Sequence, residues 1–385
     1  MSTENRSSDR PPGIRSFVRT DTDGLRRRDL KRLFDREAIE AYDILVRDQD
    51  VKPPEKGGVR LFFHRARVLF LGLSYKLTPE RRLLFAFAVI TALFGALDFG
   101  AVFNFRNRIV FETSPVWFLF SILALAFLLA LTLVDQVRFR DELEIARQLQ
   151  RDLLPAQDPA IDGYTVSHVY RTAKAVGGDY YDFHRLEDGR WAIMVGDASG
   201  HGMAAGLLMA IANATLKLAM DIDPRPVPVL EMLNRALYRT GDARAFMTLF
   251  YGVLDVRTGD LDYAIAAHPF PILRRSNGDL VELGTGALPL GLRPELKLEK
   301  HHVKMDVEDL IVIYSDGLPE AVNPDERSFG YDKLMKILRV GGQSYPVRER
   351  ILFALEQHMQ GSELQDDFSL VVLKRQPELP PLPKV

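Results

Sequence analysis

Two adjacent apolar stretches in the first third of the chain restrict its architecture more than any other feature. Residues 83–103 carry a single charge, Asp98, close to the far end, and residues 116–134 carry none. As helices, each is long enough to cross a hydrocarbon core of about 30 Å. The short polar segment NFRNRIVFETSP separates them, and Trp117 falls where an interfacial aromatic belongs. The pair reads as a transmembrane hairpin. The alternative is a helical hairpin buried in a soluble core, which would have to enclose two long spans side by side.

The flanks orient such a hairpin. Lys56, Arg60, Arg65, Arg67, Lys76, Arg81 and Arg82 precede the first span, and Arg138, Arg140, Arg147 and Arg151 come after the second. The connecting segment has only Arg106 and Arg108, offset by Glu112. The positive-inside bias then puts both termini in the cytoplasm. Asp98, near the outer interface, reads as a solvated residue rather than an intramembrane functional group. Residues 1–30 read as disordered, with Pro11, Pro12 and Gly13 breaking any early helix, and their polar start is not a secretory signal. Residues 60–76 (RLFFHRARVLFLGLSYK) suit either a helix lying on a membrane surface or an amphipathic helix on a globular domain.

After the second span the sequence continues as a helix until Pro155 stops it. Phe139, Leu143, Ala146 and Leu153 keep approximate heptad spacing, and Gln150 interrupts the seam. A short parallel coiled coil and a single amphipathic helix packed on the next domain both fit. The expected organisation is a basic cytoplasmic region over 1–82, the hairpin over 83–135, a linker helix over 136–157, a folded domain over 158–375 and a disordered Pro-rich tail over 376–385.

With 385 residues the chain has room for two or three domains. Its 50 Lys+Arg against 52 Asp+Glu leave a net charge of −2, which argues against binding driven by neutralising nucleic-acid phosphates. There is no cysteine, so disulfides, thiolate zinc sites and cysteine nucleophiles are excluded.

The region from 158 has a mixed α+β pattern. Strand-like runs occupy 164–170, 191–196, 247–255, 261–266, 310–314 and 369–374, and helical patterns occupy 203–220, 227–238, 331–338 and 347–358. Tight turns such as Arg257-Thr258-Gly259-Asp260 and Ser276-Asn277-Gly278-Asp279 predict hairpins and largely antiparallel sheets. Acidic residues recur where these strands meet loops. Asp179 and Asp182 lie in VGGDYYDF, Asp197 in GDASGHG, Asp316 in YSDGLPEA, and Asp366 and Asp367 in DDFSLVVL. Any one of them suits an ordinary turn. Four such sites in one domain suit hard divalent cations, which take oxygen ligands.

These motifs, with ELEIARQLQRDLLP, FMTLFYGVLD, AAHPFPILRR and LPLGL between and before them, stand in the order used by a known family. The domain resembles the PPM (type-2C) serine/threonine phosphatases of the SpoIIE/RsbU branch. The resemblance implies an α-β-β-α sandwich holding two ions, Mn²⁺ or Mg²⁺. Carried over by motif, Asp197 would bridge the ions, Asp179 and the carbonyl of Ala198 would complete one site, and Asp316 and Asp366 the other. It also implies a phosphoprotein substrate, typically a STAS-type anti-sigma-factor antagonist, and hence signal transduction and sigma-factor regulation; the hairpin, which lies outside the resemblance, sets the expected location at a bacterial inner membrane. Apart from the resemblance, the uninterrupted linker helix suits a homodimer paired through that helix, and the charge balance predicts no nucleic-acid partner. One departure is Ala267, where the branch usually has Gly in A-G-H-P; it is expected to lie away from the acidic cluster.

Other positions keep two readings. Lys174 could attract a phosphoryl group as a point charge, or be a solvated loop lysine, the better reading. His201 could be the general acid for the leaving oxygen, or order its turn. Asp182 and Asp367 read as groups supporting the ligands rather than as weak ligands of a third ion. Glu320 and His268 read as structural. A serine hydrolase elbow and a P-loop both lack their frames here. The competing class is an inactive PPM-like domain that only binds a partner, against which the joint presence of Asp179, Asp197, Asp316 and Asp366 speaks.

Overall fold

A computed structural model describes residues 70–97, 114–174, 176–200, 202–240 and 245–377, in two compact units, Met1–Gln136 and Val137–Val385. In the first unit, helix α1 (Pro79–Ala96) runs antiparallel to the beginning of helix α2 (Ser114–Leu153). Small residues let the two backbones approach. Ser121 Oγ donates to Ala88 O at 2.8 Å, Ser114 Oγ donates to Gly95 O at 2.7 Å, and the Phe94 and Trp117 rings lie 5.5 Å apart. At the other end Arg81 pairs with Asp135 at 2.5 Å. Ile90, Leu93, Ile122, Leu123, Phe127 and Leu129 point outward and are exposed. By length and composition α2 can cross a membrane. Asp98, Arg106, Arg108 and the rest of 98–113 lie outside the described residues, as do 1–69 and 378–385.

The second unit takes the end of α2 and then β1 (Tyr164–Arg171), β2 (Asp179–Arg185), β3 (Trp191–Ala198), α3 (Met203–Ile222), α4 (Pro226–Thr240), β4 (Met247–Leu254), β5 (Asp260–Ala266), β6 (Ile272–Arg274), β7 (Leu280–Glu282), β8 (His301–Lys304), β9 (Leu310–Tyr314), α5 (Gly317–Glu320), α6 (Tyr331–Arg339), α7 (Ser344–Met359) and β10 (Phe368–Arg375). One sheet has the order β1-β10-β9-β6-β7 and the other β2-β3-β4-β5-β8, with every pairing antiparallel. The two predicted turns close the β4–β5 and β6–β7 hairpins.

Three apolar layers hold the unit. Ile193, Val195, Phe250, Ile311, Ile313 and Val371 fill the space between the sheets. Met194, Tyr251, Met209, Leu216, Leu230 and Leu233 join the second sheet to α3 and α4. Val312, Leu370, Leu334, Leu338, Val347 and Ile351 join the first sheet to α6 and α7. Period-2 alternation divides the longer strands between the inter-sheet layer and a helical layer. The result is the expected α-β-β-α sandwich. Each fully buried Leu, Ile or Phe contributes about 1.5–3 kcal/mol to it. Helix α3 is apolar enough to resemble a membrane span, but its buried face belongs to this core.

The linker end of α2 packs on its own domain. Leu153 and Leu154 pack against the layer under α3 and α4, and Gln150 is buried. Ile145 and Leu149 lie exposed on another face of the helix. The seam predicted through Leu153 therefore ends inside the domain, while Val137, Phe139, Ile145 and Leu149 are apolar positions open to another surface.

Candidate active site

Strands β2 and β3 pair in a register that sets Asp179 directly opposite Asp197. Like charges in that relation repel. Asp179 is only 1% exposed, and burial, then the charge of Asp197, holds its carboxyl well above the usual carboxylate range. Burial, followed by Asp316 and Asp366, pushes Asp197 up to about 8.

The other sheet brings its carboxylates to the same corner. Strand β9 ends in Ser315-Asp316, and β10 starts directly after Asp366-Asp367. Ser315 Oγ donates to Asp179 Oδ2 at 2.6 Å and accepts from Ser369 N at 2.9 Å, so one hydroxyl ties the two sheets. Asp316 is half-buried, and its Oδ1 is buried with no hydrogen-bond partner in the protein. Burial, then Glu320 and Asp366, raises its pKa. Asp366 is exposed at the rim. Asp367 accepts from Ala173 N and Gly178 N, each at 2.7 Å, which commits one oxygen to each amide. It therefore supports the loop carrying Asp179.

This donor set fits a divalent cation. Every side-chain donor is a carboxylate oxygen, Asp316 Oδ1 lacks a partner, and the mutual repulsion needs a positive charge to relieve it. Gly178 adds a close approach: a Cβ there would fall 2.5 Å from Ala198 O and 2.8 Å from Asp197 Oδ1. Only a glycine leaves that carbonyl and that carboxylate open side by side. Among the described residues no three His, Asp or Glu side chains gather tightly enough to hold an ion unaided. An ion here would have to draw its carboxylates closer together and keep waters of its own besides.

Of the remaining predicted residues, Lys174 is exposed on the loop after β1, and its charge reaches Asp367 and lowers that group's otherwise raised pKa. His201 lies outside the described residues. Asp182 faces away from the cluster: it accepts from Tyr180 Oη at 3.3 Å and lies 3.9 Å from Lys217 of α3. Glu320 is exposed and acts on Asp316 through its charge. His268 is buried with Nδ1 3.0 Å from Thr248 Oγ1, and Thr248 is the register partner of Asp197. Burial holds this imidazole neutral, with its pKa down to about 3. Ala267 precedes this buried histidine in the chain. Its φ of 52° is in the left-handed region, where glycine is favoured.

Two supports escape a reading of the sequence. Ser315 is hidden because a serine before Asp-Gly reads as turn chemistry. Gln150 is visible there only as a break in an apolar seam.

Comparison with known proteins agrees with the fold. The family model described as "Stage II sporulation protein E (SpoIIE)" matches residues 187–376, which include Asp197, Asp316 and Asp366, with Asp179 just before them. Protein IcfG of Synechocystis sp. is 27% identical over 267 residues, covering 61% of this chain and 42% of IcfG. Phosphoserine phosphatase RsbU of Bacillus subtilis is 28% identical over 247 residues, covering 62% of this chain and 72% of RsbU. The match thus spans less than half the length of IcfG. Among solved structures, the SiaA-PP2C domain of Pseudomonas aeruginosa superposes with a TM-score of 0.56 at 21% identity, covering 62% of this chain and 98% of that domain. That likeness establishes the PP2C fold.

Proposed function

Because the C-terminal domain belongs to the SpoIIE family and has the PP2C fold, we propose that the chain is a membrane-anchored, metal-dependent protein serine/threonine phosphatase acting on a cytoplasmic phosphoprotein. The observation that carries this reading is the corner where both sheets bring Asp179, Asp316 and Asp366 within electrostatic reach of Asp197, with no lysine or arginine hydrogen-bonded to any of the four among the described residues. RsbU's name, phosphoserine phosphatase, supports phosphoserine as the substrate group. A STAS-type anti-sigma-factor antagonist is the favoured substrate.

Asp197 would bridge two ions, Mn²⁺ or Mg²⁺, with Asp179 and the Ala198 carbonyl at one and Asp316 and Asp366 at the other. When bound, such ions supply a water acidic enough to ionise near neutral pH and neutralise charge on a phosphoryl group. The chain's own residues do the rest. Ser315 fixes the Asp179 carboxylate, and Asp367 fixes the loop before it. No protein nucleophile is needed, which suits a chain without cysteine.

The exposed apolar flanks of α1 and α2 support a membrane anchor, and the basic flanks support cytoplasmic termini. Phosphate release from phosphoserine, phosphothreonine and phosphotyrosine peptides tests the activity. Release from the first two that needs Mn²⁺ or Mg²⁺ and stops with chelator is expected. A preference for phosphotyrosine, or activity indifferent to chelator, contradicts the reading.

A further inference from the structure

Gln150 is the one polar residue in the buried seam of the linker, and it is 5% exposed. A leucine there would complete the seam without removing a carboxamide from water. A buried amide needs hydrogen-bond partners, and Gln150 finds its main partners in a single residue. Gly177 N donates to Gln150 Oε1 at 3.0 Å, and Gln150 Nε2 donates to Gly177 O at 2.6 Å. The same Nε2 reaches Tyr170 Oη at 3.2 Å and Met209 Sδ at 3.5 Å. The side chain pairs with the backbone of Gly177 as a neighbouring strand would.

Gly177 begins the turn that presents the acidic cluster. The next residue, Gly178, donates its N–H to Asp367 Oδ2 and accepts from Ala198 N at 3.0 Å, and Asp179 comes directly after it. Neither glycine has a side chain to anchor the turn. A Cβ at Gly177 would run into Tyr170 Oη and Asp367, so none can be added. The turn is therefore held from outside, by Asp367 on one side and Gln150 on the other.

We propose that Gln150 is a positioning residue for the divalent-cation site. Its carboxamide fixes the Gly177-Gly178 turn, and through that turn the Asp179 carboxylate and the Ala198 carbonyl. It touches no ion and no substrate. The proposal rests on the metal-dependent reading above and extends it to a residue of the linker helix. Outer partners that orient metal ligands typically cost about 10–100-fold in metal affinity when removed.

The test uses the full-length chain in detergent and three proteins: wild type, Gln150→Leu and Leu233→Ala. The leucine keeps the volume and removes both hydrogen bonds. Leu233 is a fully buried residue of α4, and its truncation destabilises the core without touching the turn. Mn²⁺ affinity is measured by calorimetry, and amide hydrogen exchange over residues 176–180 is measured in chelator. At least about tenfold weaker Mn²⁺ binding in Gln150→Leu, with Leu233→Ala near wild type, is the expected result. Wild-type affinity in Gln150→Leu overturns the proposal, and so does an equal loss in both variants. If the wild type itself binds no Mn²⁺, the metal-dependent reading fails separately. The exchange data then decide: faster exchange confined to Gln150→Leu sustains the positioning role, and unchanged exchange removes it.

Discussion

Asp179 and Asp197 face each other across β2 and β3, and that one register fixes the chemistry of the corner. Their raised pKa values have a consequence for stability. A carboxyl whose folded pKa lies above its unfolded value of about 3.9 binds more protons folded than unfolded between those values. Stability therefore falls as pH rises through that window, here from about pH 4 toward the value of about 8 for Asp197. In chelator, the melting temperature of the wild type should decline over this range, and Asp197→Asn should flatten the decline, as thermal denaturation at stepped pH would record. An equal slope in both proteins would leave Asp197 without a part in the pH dependence. The same substitution should lower metal-dependent turnover by about a thousandfold, the equivalent of roughly 4 kcal/mol of lost charge stabilisation. Ala267 supplies a second test at this scale. A left-handed conformation costs a non-glycine residue about 1–2 kcal/mol. Ala267→Gly should raise the melting temperature by about 2–4 °C, the shift that 1 kcal/mol produces in a domain of this size, and an unchanged or lower value would contradict the strain.

At the scale of elements, the long strands and helices are legible in the sequence because their patterns are regular. Runs such as Leu310–Tyr314 and Met247–Leu254 are almost wholly apolar, and Met203–Ile222 keeps helical spacing. Strand β2 reads only as a motif, since DYYDFHR mixes charge with aromatics, and its edge position in the sheet tolerates that. Strands β6, β7 and β8 are three or four residues long, too short for periodicity to register. The acidic positions can be found in sequence because each abuts an apolar strand. Their supports, Ser315 and Gln150, cannot, because each acts on a partner far away in the chain. The linker helix carries its own prediction. One residue inserted near Asp141 turns the downstream helix by about 100°, and seven nearly restore the phase. If Ile145 and Leu149 pair across a homodimer, activity in membranes should drop with the single insertion and recover with the heptad. Equal activity across the series would leave the helix as a tether.

In the molecule as a whole, an apolar hairpin is joined to a family domain whose fold is shared with a solved PP2C structure. Tags at either terminus should be protected from protease in intact cells, while a tag near Arg108 should be cut from outside. External cleavage at a terminus would reverse the topology and separate the domain from cytoplasmic phosphoproteins. The central claim is that the corner formed by both sheets is a divalent-cation phosphatase site. Its most direct test is release of a chromogenic leaving group from a phosphate monoester by the purified chain, titrated with Mn²⁺, for wild type and Asp197→Asn side by side. Turnover should be saturable and chelator-reversible in the wild type and almost absent from the variant at any Mn²⁺ concentration. Equal turnover in the two at saturating Mn²⁺, or none in a folded wild type, would contradict the claim.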